Sequence, residues 1–201
     1  MLTIFLLSLN TVNATPTLYI SDGKYSVTVQ DGSSFDSNPL PGVVMFNNDL
    51  DLDKLHMYSP WFVNVSTGIT KPILGTRELP HLDLSSVNVS SRSGSSTSLT
   101  IMFSDTDFGP LGLPAFTADV GGTTNGSLSY SIYLDNSNTL FGKAVLLANL
   151  GHYTGGAFSG SVTSGSVTPG PPFSMTLAAT MTHSIGIKNS RGEVLILIGA
   201  H

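Results

Sequence analysis

The sequence predicts an all-β fold, a single antiparallel two-sheet β-sandwich that is jelly-roll-like, and three observations lead there. Short segments alternate apolar and polar side chains, the period of two that buries one face of a strand. Clusters of Gly, Asp, Asn, Ser and Pro separate those segments at the spacing of tight turns. No stretch carries a convincing 3.6-residue apolar period; the short run Lys143–Ala148 is the one helical rival and reads as strand on its length. A chain of 201 residues, 40% of them hydrophobic, is long enough for one buried core. It shows neither a domain boundary nor a repeat at fixed period.

The elements follow in order. Thr17–Ile20 and Tyr25–Val29 flank Ser21-Asp22-Gly23, which reads as a hairpin because Asp-Gly suits the positive φ of a tight turn. Asp31 to Pro41 is a loop, Val43–Phe46 a short buried strand, and Asn47–Lys54 an acidic run. Trp61–Ser66 is the next strand, with Trp61, Val63 and Val65 on one side. Lys71 to Leu82 holds Pro72, Gly75 and Pro80 and reads as a long connection. Leu84–Ser90 resumes strand, and Ser90–Ser96 reads as a flexible loop. In Ser98–Ser104 the residues Leu99, Ile101 and Phe103 point one way, and an acidic turn, Asp105 to Pro110, follows. Pro114–Val120, Ser127–Leu134 and Thr139–Asn149 are three further segments, broken at Gly121–Gly126 and Asp135–Asn138. Ala157–Val167 and Phe173–Thr182 complete the alternating set. Leu99, Ile101, Phe103, Trp61, Val63 and Val65 are the expected core.

Composition narrows the setting. Only 10% of residues are charged, against roughly 25% in an average globular chain, and Ser, Thr, Asn and Gly take their places, as on an exported protein. The formal net charge of −5 comes without a basic cluster, which disfavours nucleic acid. With zero cysteines there are no disulfides and no thiolate sites. Residues 1–14 read as a signal peptide, with apolar Leu2–Leu9 and the small Ala14 at a cleavage position. The usual basic start is missing, and the alternative is a buried first strand. No other apolar run reaches the roughly 20 residues that span a bilayer.

Several stretches together carry a family resemblance: Trp61–Gly68, Lys71–Gly75, Pro80–Val89, Leu99–Gly109, Gly121–Thr123 and Tyr133–Gly142. They resemble the ectodomains of bacterial PEP-CTERM proteins over roughly residues 17–183. The resemblance implies export, an all-β ectodomain, sorting to the cell surface or to extracellular polysaccharide in a Gram-negative-type bacterium, and no enzyme activity. The family closes with Pro-Glu-Pro, an apolar helix and a basic cluster. Here the close is Ile187–Glu193 followed by Val194–His201, without that signal. The expected organisation is therefore a signal peptide at 1–14, a sandwich at 15–185 and an atypical tail at 186–201 that is either a last strand or an exposed edge, in a secreted or surface protein.

Chemistry is sparse. Asp105 and Asp107, beside Ser104 and Thr106, are the candidate calcium ligands, with Asp49, Asp51, Asp53 or Asp83 to complete a shell. His56, His81, His152, His183 and His201 show no zinc-binding spacing, and no Gly-x-Ser-x-Gly elbow marks a nucleophile. Three functions stand against one another. A non-catalytic surface or extracellular-matrix component needs only a hydroxyl-rich surface that engages hydrated polysaccharide. A carbohydrate-binding module, with calcium as a stabiliser, needs exposed aromatics, for which Tyr130, Tyr133, Tyr153 with Phe158, and Tyr58 near Trp61 are candidates. An enzyme needs an acid/base pair or nucleophile that no motif names. The matrix component is the expected function and the module its alternative.

Overall fold

A computed structural model describes residues 15–46, 59–109 and 115–197. The signal-peptide reading, the acidic run with Asp49, Asp51 and Asp53, and His56, Tyr58 and His201 lie outside the described residues. So does the Val65 side chain.

Among the described residues ten strands, all paired antiparallel, make the fold. They are β1 (Thr17–Ser21), β2 (Ser26–Gln30), β3 (Val43–Phe46), β4 (Trp61–Ile69), β5 (Leu82–Ser93), β6 (Thr97–Phe108), β7 (Thr117–Asp135), β8 (Val145–Thr163), β9 (Phe173–His183) and β10 (Gly186–Leu197). The long hairpin β7–β8 belongs to two sheets. Residues 127–135 of β7 pair with β9, whereas residues 117–124 pair with β10. Sheet I therefore runs β2-β1-β6-β9-β7-β8, and sheet II runs β3-β4-β5-β10-β7-β8. The hairpin turns from one to the other where its register shifts between Thr124 and Ser127, opposite Gly155 and Gly156. Those glycines hold φ of 57° and 97°, a region that side chains resist, so the sharp bend falls where Cβ atoms are absent.

The two sheets face each other across one core, as the alternation predicts. Leu99, Ile101 and Phe103 of β6 and Trp61 and Val63 of β4 are all buried. Burying each such side chain stabilises the fold by roughly 1.5–3 kcal/mol. Close approach of the sheets fixes one residue: a Cβ on Gly68 of β4 would run into the ring of Phe103.

Four expectations are corrected. Asp105 does not open a turn, because β6 continues to Phe108 through a bulge between Asp105 and Phe108. The expected flexible loop shrinks to residues 94–96, since β5 reaches Ser93 and pairs there with β10. Gly121–Gly126 does not interrupt β7, because neighbours on both sides supply the ladder that local propensity disfavours. Likewise Asn149 and Ala157 lie on one strand, β8, while residues 139–144 form the loop before it. Residues 186–197, the first part of the expected tail, are β10, paired to β5 on one side and β7 on the other.

Candidate functional site

A cleft of about 620 Å³ opens at the end of the sandwich where the β2–β3 and β4–β5 connections meet. Backbone bonds hold its walls. Asp31 N donates to Pro16 O (2.9 Å), Thr70 N to Gly42 O (2.9 Å), and Gly109 N to Arg77 O (2.7 Å). One carboxylate oxygen of Asp31 accepts Gly42 N at 2.8 Å. Pro16, Pro41 and Pro72 give apolar surfaces, and Asp31, Thr76 and Arg77 place polar groups among them. Among the described residues Arg77 makes no ion pair. Proline restrains the backbone at three points of these walls, since its ring fixes φ and leaves few conformations to lose.

Lys71 passes from this cleft into the protein. Its Nζ donates to Asp105 Oδ2 (2.5 Å) and to Thr106 O (2.6 Å), and lies 3.9 Å from the centre of the Phe108 ring. The Lys71 side chain keeps 15% of its surface and Asp105 keeps none. Asp105 also accepts Thr70 Oγ1 (3.1 Å) and Thr106 N (2.8 Å), so each of its oxygens is engaged. Burial pushes the Asp105 carboxyl above its ordinary range and the Lys71 amine below its own, and the attraction between them offsets only part of either shift. The pair thus fastens the β4–β5 connection to β6 at the cleft wall.

Asp107, the other candidate calcium ligand, faces a different partner. Its N–H donates to Asn138 Oδ1 (2.8 Å) and its Oδ1 accepts Asn138 Nδ2 (2.7 Å), with both residues at positive φ. This reciprocal clasp anchors the β7–β8 loop to the end of β6. Among the described residues no group of three or more His, Asp or Glu side chains is placed to hold a metal ion.

At the opposite end of β6 the interior carries a network of hydroxyls around one imidazole. His183 Nδ1 lies 2.7 Å from Ser91 Oγ and Nε2 lies 2.8 Å from Ser190 Oγ, which is 2.7 Å from Thr124 Oγ1. Trp61 packs on the imidazole with ring centres 4.5 Å apart and donates Nε1–H to Thr97 Oγ1 at 2.9 Å. Every member from Ser91 to Thr124 is buried, so a serine beside a histidine here meets no substrate. The network ties β9 of sheet I to β5, β7 and β10 of sheet II.

The aromatic candidates divide. Trp61 and Tyr130 are core residues. Tyr153 and Phe158 stack at 4.5 Å, half-buried against the core, and Tyr133 lies under Lys143 Nζ at 5.5 Å. Sequence reasoning missed Lys71 and Arg77 as neighbours of the end of β6, because the contacts that join them span more than 30 positions. One signal was present. Asp105 is in phase with Leu99, Ile101 and Phe103, and a charge in a buried register requires a partner.

No protein-family model and no curated protein matches the chain. Among solved structures it is similar to TmCBM61 in complex with β-1,4-galactotriose, at a TM-score of 0.37 and 9% identity over 76% of this chain and 99% of that one. It is also similar to the enzymatically active domain of bacteriophage CBA120 tailspike protein 4, at a TM-score of 0.37 and 11% identity over 77% of this chain and 22% of that one. The K1 cleaved adhesin domain of Lys-gingipain from Porphyromonas gingivalis W83 aligns at a TM-score of 0.30 and 14% identity, over 84% of this chain and 97% of that one. At these scores no activity, ligand or family passes from those proteins to this chain.

Proposed function

We propose that the protein is an exported, non-catalytic binding module that takes a carbohydrate in the end cleft. The observation that carries this reading is the wall chemistry: three proline rings beside Asp31, Thr76 and Arg77 around about 620 Å³. A sugar offers apolar C–H faces and a rim of hydroxyls, and such a cleft answers both, with a carboxylate to accept and a guanidinium to donate. The charged groups behind the wall are engaged with each other, which leaves the Lys71–Asp105 pair a positioning role.

The outer face of sheet I supports the same reading. Its cross-strand rows, Ser98-Thr182-Ser127-Thr154 and Thr100-Thr180-Ser129-Gly151, present hydroxyls without charge, a surface that hydrogen-bonds hydrated polysaccharide beyond the cleft. Export is supported by the scarcity of charge, and among the described residues no helix is long and apolar enough to cross a membrane.

The test is titration against a panel of immobilised polysaccharides, followed by calorimetry on any hit. Saturable binding is expected, and Arg77→Ala is expected to weaken it by about tenfold, the loss of one good polar contact of some 1.4 kcal/mol, with melting unchanged. A flat response across the panel, equal binding by the variant, or release of new reducing ends would overturn the proposal.

A further inference from the structure

The lysines of the described residues are placed in two ways. Lys24 and Lys143 are exposed, each over a tyrosine ring. Lys71 instead brings its Nζ to 2.5 Å from Oδ2 of the fully buried Asp105, with the centre of the Phe108 ring 3.9 Å away. An amine and a carboxyl enclosed together carry a desolvation cost for as long as both are charged. Proton exchange removes the charges, and so does loss of water to give an amide, which is neutral at every pH.

The atoms around Asp105 are those that amide formation requires. Oδ1 accepts Thr106 N–H at 2.8 Å, a fixed donor at the oxygen where negative charge develops when a nucleophile adds to the carboxyl carbon. Oδ2 lies 3.1 Å from Thr70 Oγ1, which is also 3.0 Å from His81 O. The hydroxyl has one proton for these two contacts, and the carbonyl only accepts. When Thr70 gives its proton to His81 O, it offers Oδ2 a lone pair, which suits a protonated carboxyl. Lys71 Nζ keeps its bond to Thr106 O (2.6 Å) after losing one proton, and its lone pair is then free beside the carbon that bears Oδ2. Burial acts in the same direction, raising the carboxyl and lowering the amine from their ordinary ranges.

We propose that Lys71 and Asp105 condense into an intramolecular amide, a covalent cross-link between the β4–β5 connection and β6. The neutral amine adds through its lone pair to Asp105 Cγ, forming the N–C bond and placing the charge on Oδ1 beneath Thr106 N–H. A proton passes from Nζ to the protonated Oδ2, the C–Oδ2 bond breaks as Oδ1 reforms the carbonyl, and one water leaves through the cleft that Lys71 lines. Nothing is oxidised or reduced. Groups held in such orientation react as if present at on the order of 10⁵ M, which offsets the poor reactivity of a free carboxylic acid. The bond spans 34 positions and ties a connection of sheet II to a strand of sheet I. In a chain with no cysteine it takes the place of a disulfide. A freshly folded chain holds the ion pair, and its stability and pH response are those of the pair until the bond closes. The cross-link is independent of what the cleft binds.

Intact-mass spectrometry of the full chain, with fragmentation of a proteolytic digest, tests the proposal. Wild type held folded at neutral pH is expected to lose the mass of one water and to yield a branched fragment joining Lys71 to Asp105. The same chain held in denaturant is expected to keep its mass, because only the fold brings the two groups together. Lys71→Arg keeps the charge and lacks the nucleophilic amine, so it is expected to keep its full mass when held folded. The cross-linked fraction is expected to melt at a higher temperature than the unreacted one. A folded wild type that retains its full mass through the incubation, a water lost equally from the denatured chain or from Lys71→Arg, or a loss that maps away from this pair would each overturn the proposal. The comparison of folded with denatured wild type needs no variant, so the test stands even if Lys71→Arg fails to fold.

Discussion

The two ends of β6 bury polar groups in opposite ways. Near Thr97 the interior holds His183 with Ser91, Ser190 and Thr124, all enclosed. Near Phe108 it holds a full ion pair, Lys71 with Asp105, of which the lysine still touches solvent. Desolvation explains the division. Hydroxyls and imidazole lose little on burial once each is hydrogen-bonded, whereas two charges taken from water recover the loss only in part. The network of hydroxyls and imidazole can therefore join two sheets deep inside, and the ion pair belongs at a wall beside an opening.

Breaking the enclosed end has the larger expected effect. His183→Leu removes the partner of two buried serines at once and uncovers one face of Trp61; a loss of about 3–5 kcal/mol is expected, read by chemical denaturation. A loss under about 1 kcal/mol would mean that water already reaches the network. At the other end, Lys71→Met strips the enclosed Asp105 carboxylate of its counter-charge, and a loss of about 3 kcal/mol is expected, while Lys71→Met with Asp105→Leu recovers most of it. Equal losses in the single and double variants would show that the pair itself, and not its desolvation, governs stability.

The same pair sharpens the contrast through pH. Because burial raises the Asp105 carboxyl above 3.8, the folded state holds that proton more tightly than the unfolded one. Its contribution is present in full below 3.8 and is lost as pH rises through the raised value. Asp105→Asn is expected to remove that falling limb from a stability-against-pH curve, and His183→Leu to leave it in place. The smallest expected effect concerns calcium. With both Asp105 oxygens engaged and Lys71 supplying the positive charge, melting midpoints in calcium and in chelator are expected to coincide. A higher midpoint in calcium would mean that the ion displaces the lysine.

Much of this was legible in the sequence where the physics is local. Alternation in Leu99, Ile101 and Phe103 gave a buried face, and Trp61 entered the core with Val63. What was not legible depends on partners far along the chain. Gly121–Gly126 looks like a break because glycine weakens a strand, yet β8 and β10 hold it extended from either side. Lys71, next to Pro72 in an apparent loop, carries no local sign that its amine ends beneath β6. Asp105 did carry one, its place in the buried register, and an acidic neighbour two residues on made the pattern read as a turn.

The position of β10 also orders events in time. The strand latest in the sequence among the described residues lies between β5 and β7, in the middle of sheet II. Until residues 186–197 have been made, β5 and β7 have no common neighbour, and the β3-β4-β5 half of that sheet has no strand pairing to the rest of it. A growing chain accordingly holds sheet II in two unjoined parts. Closure waits for an insertion between two strands that were built long before it, a pairing of high sequence separation and slow rate.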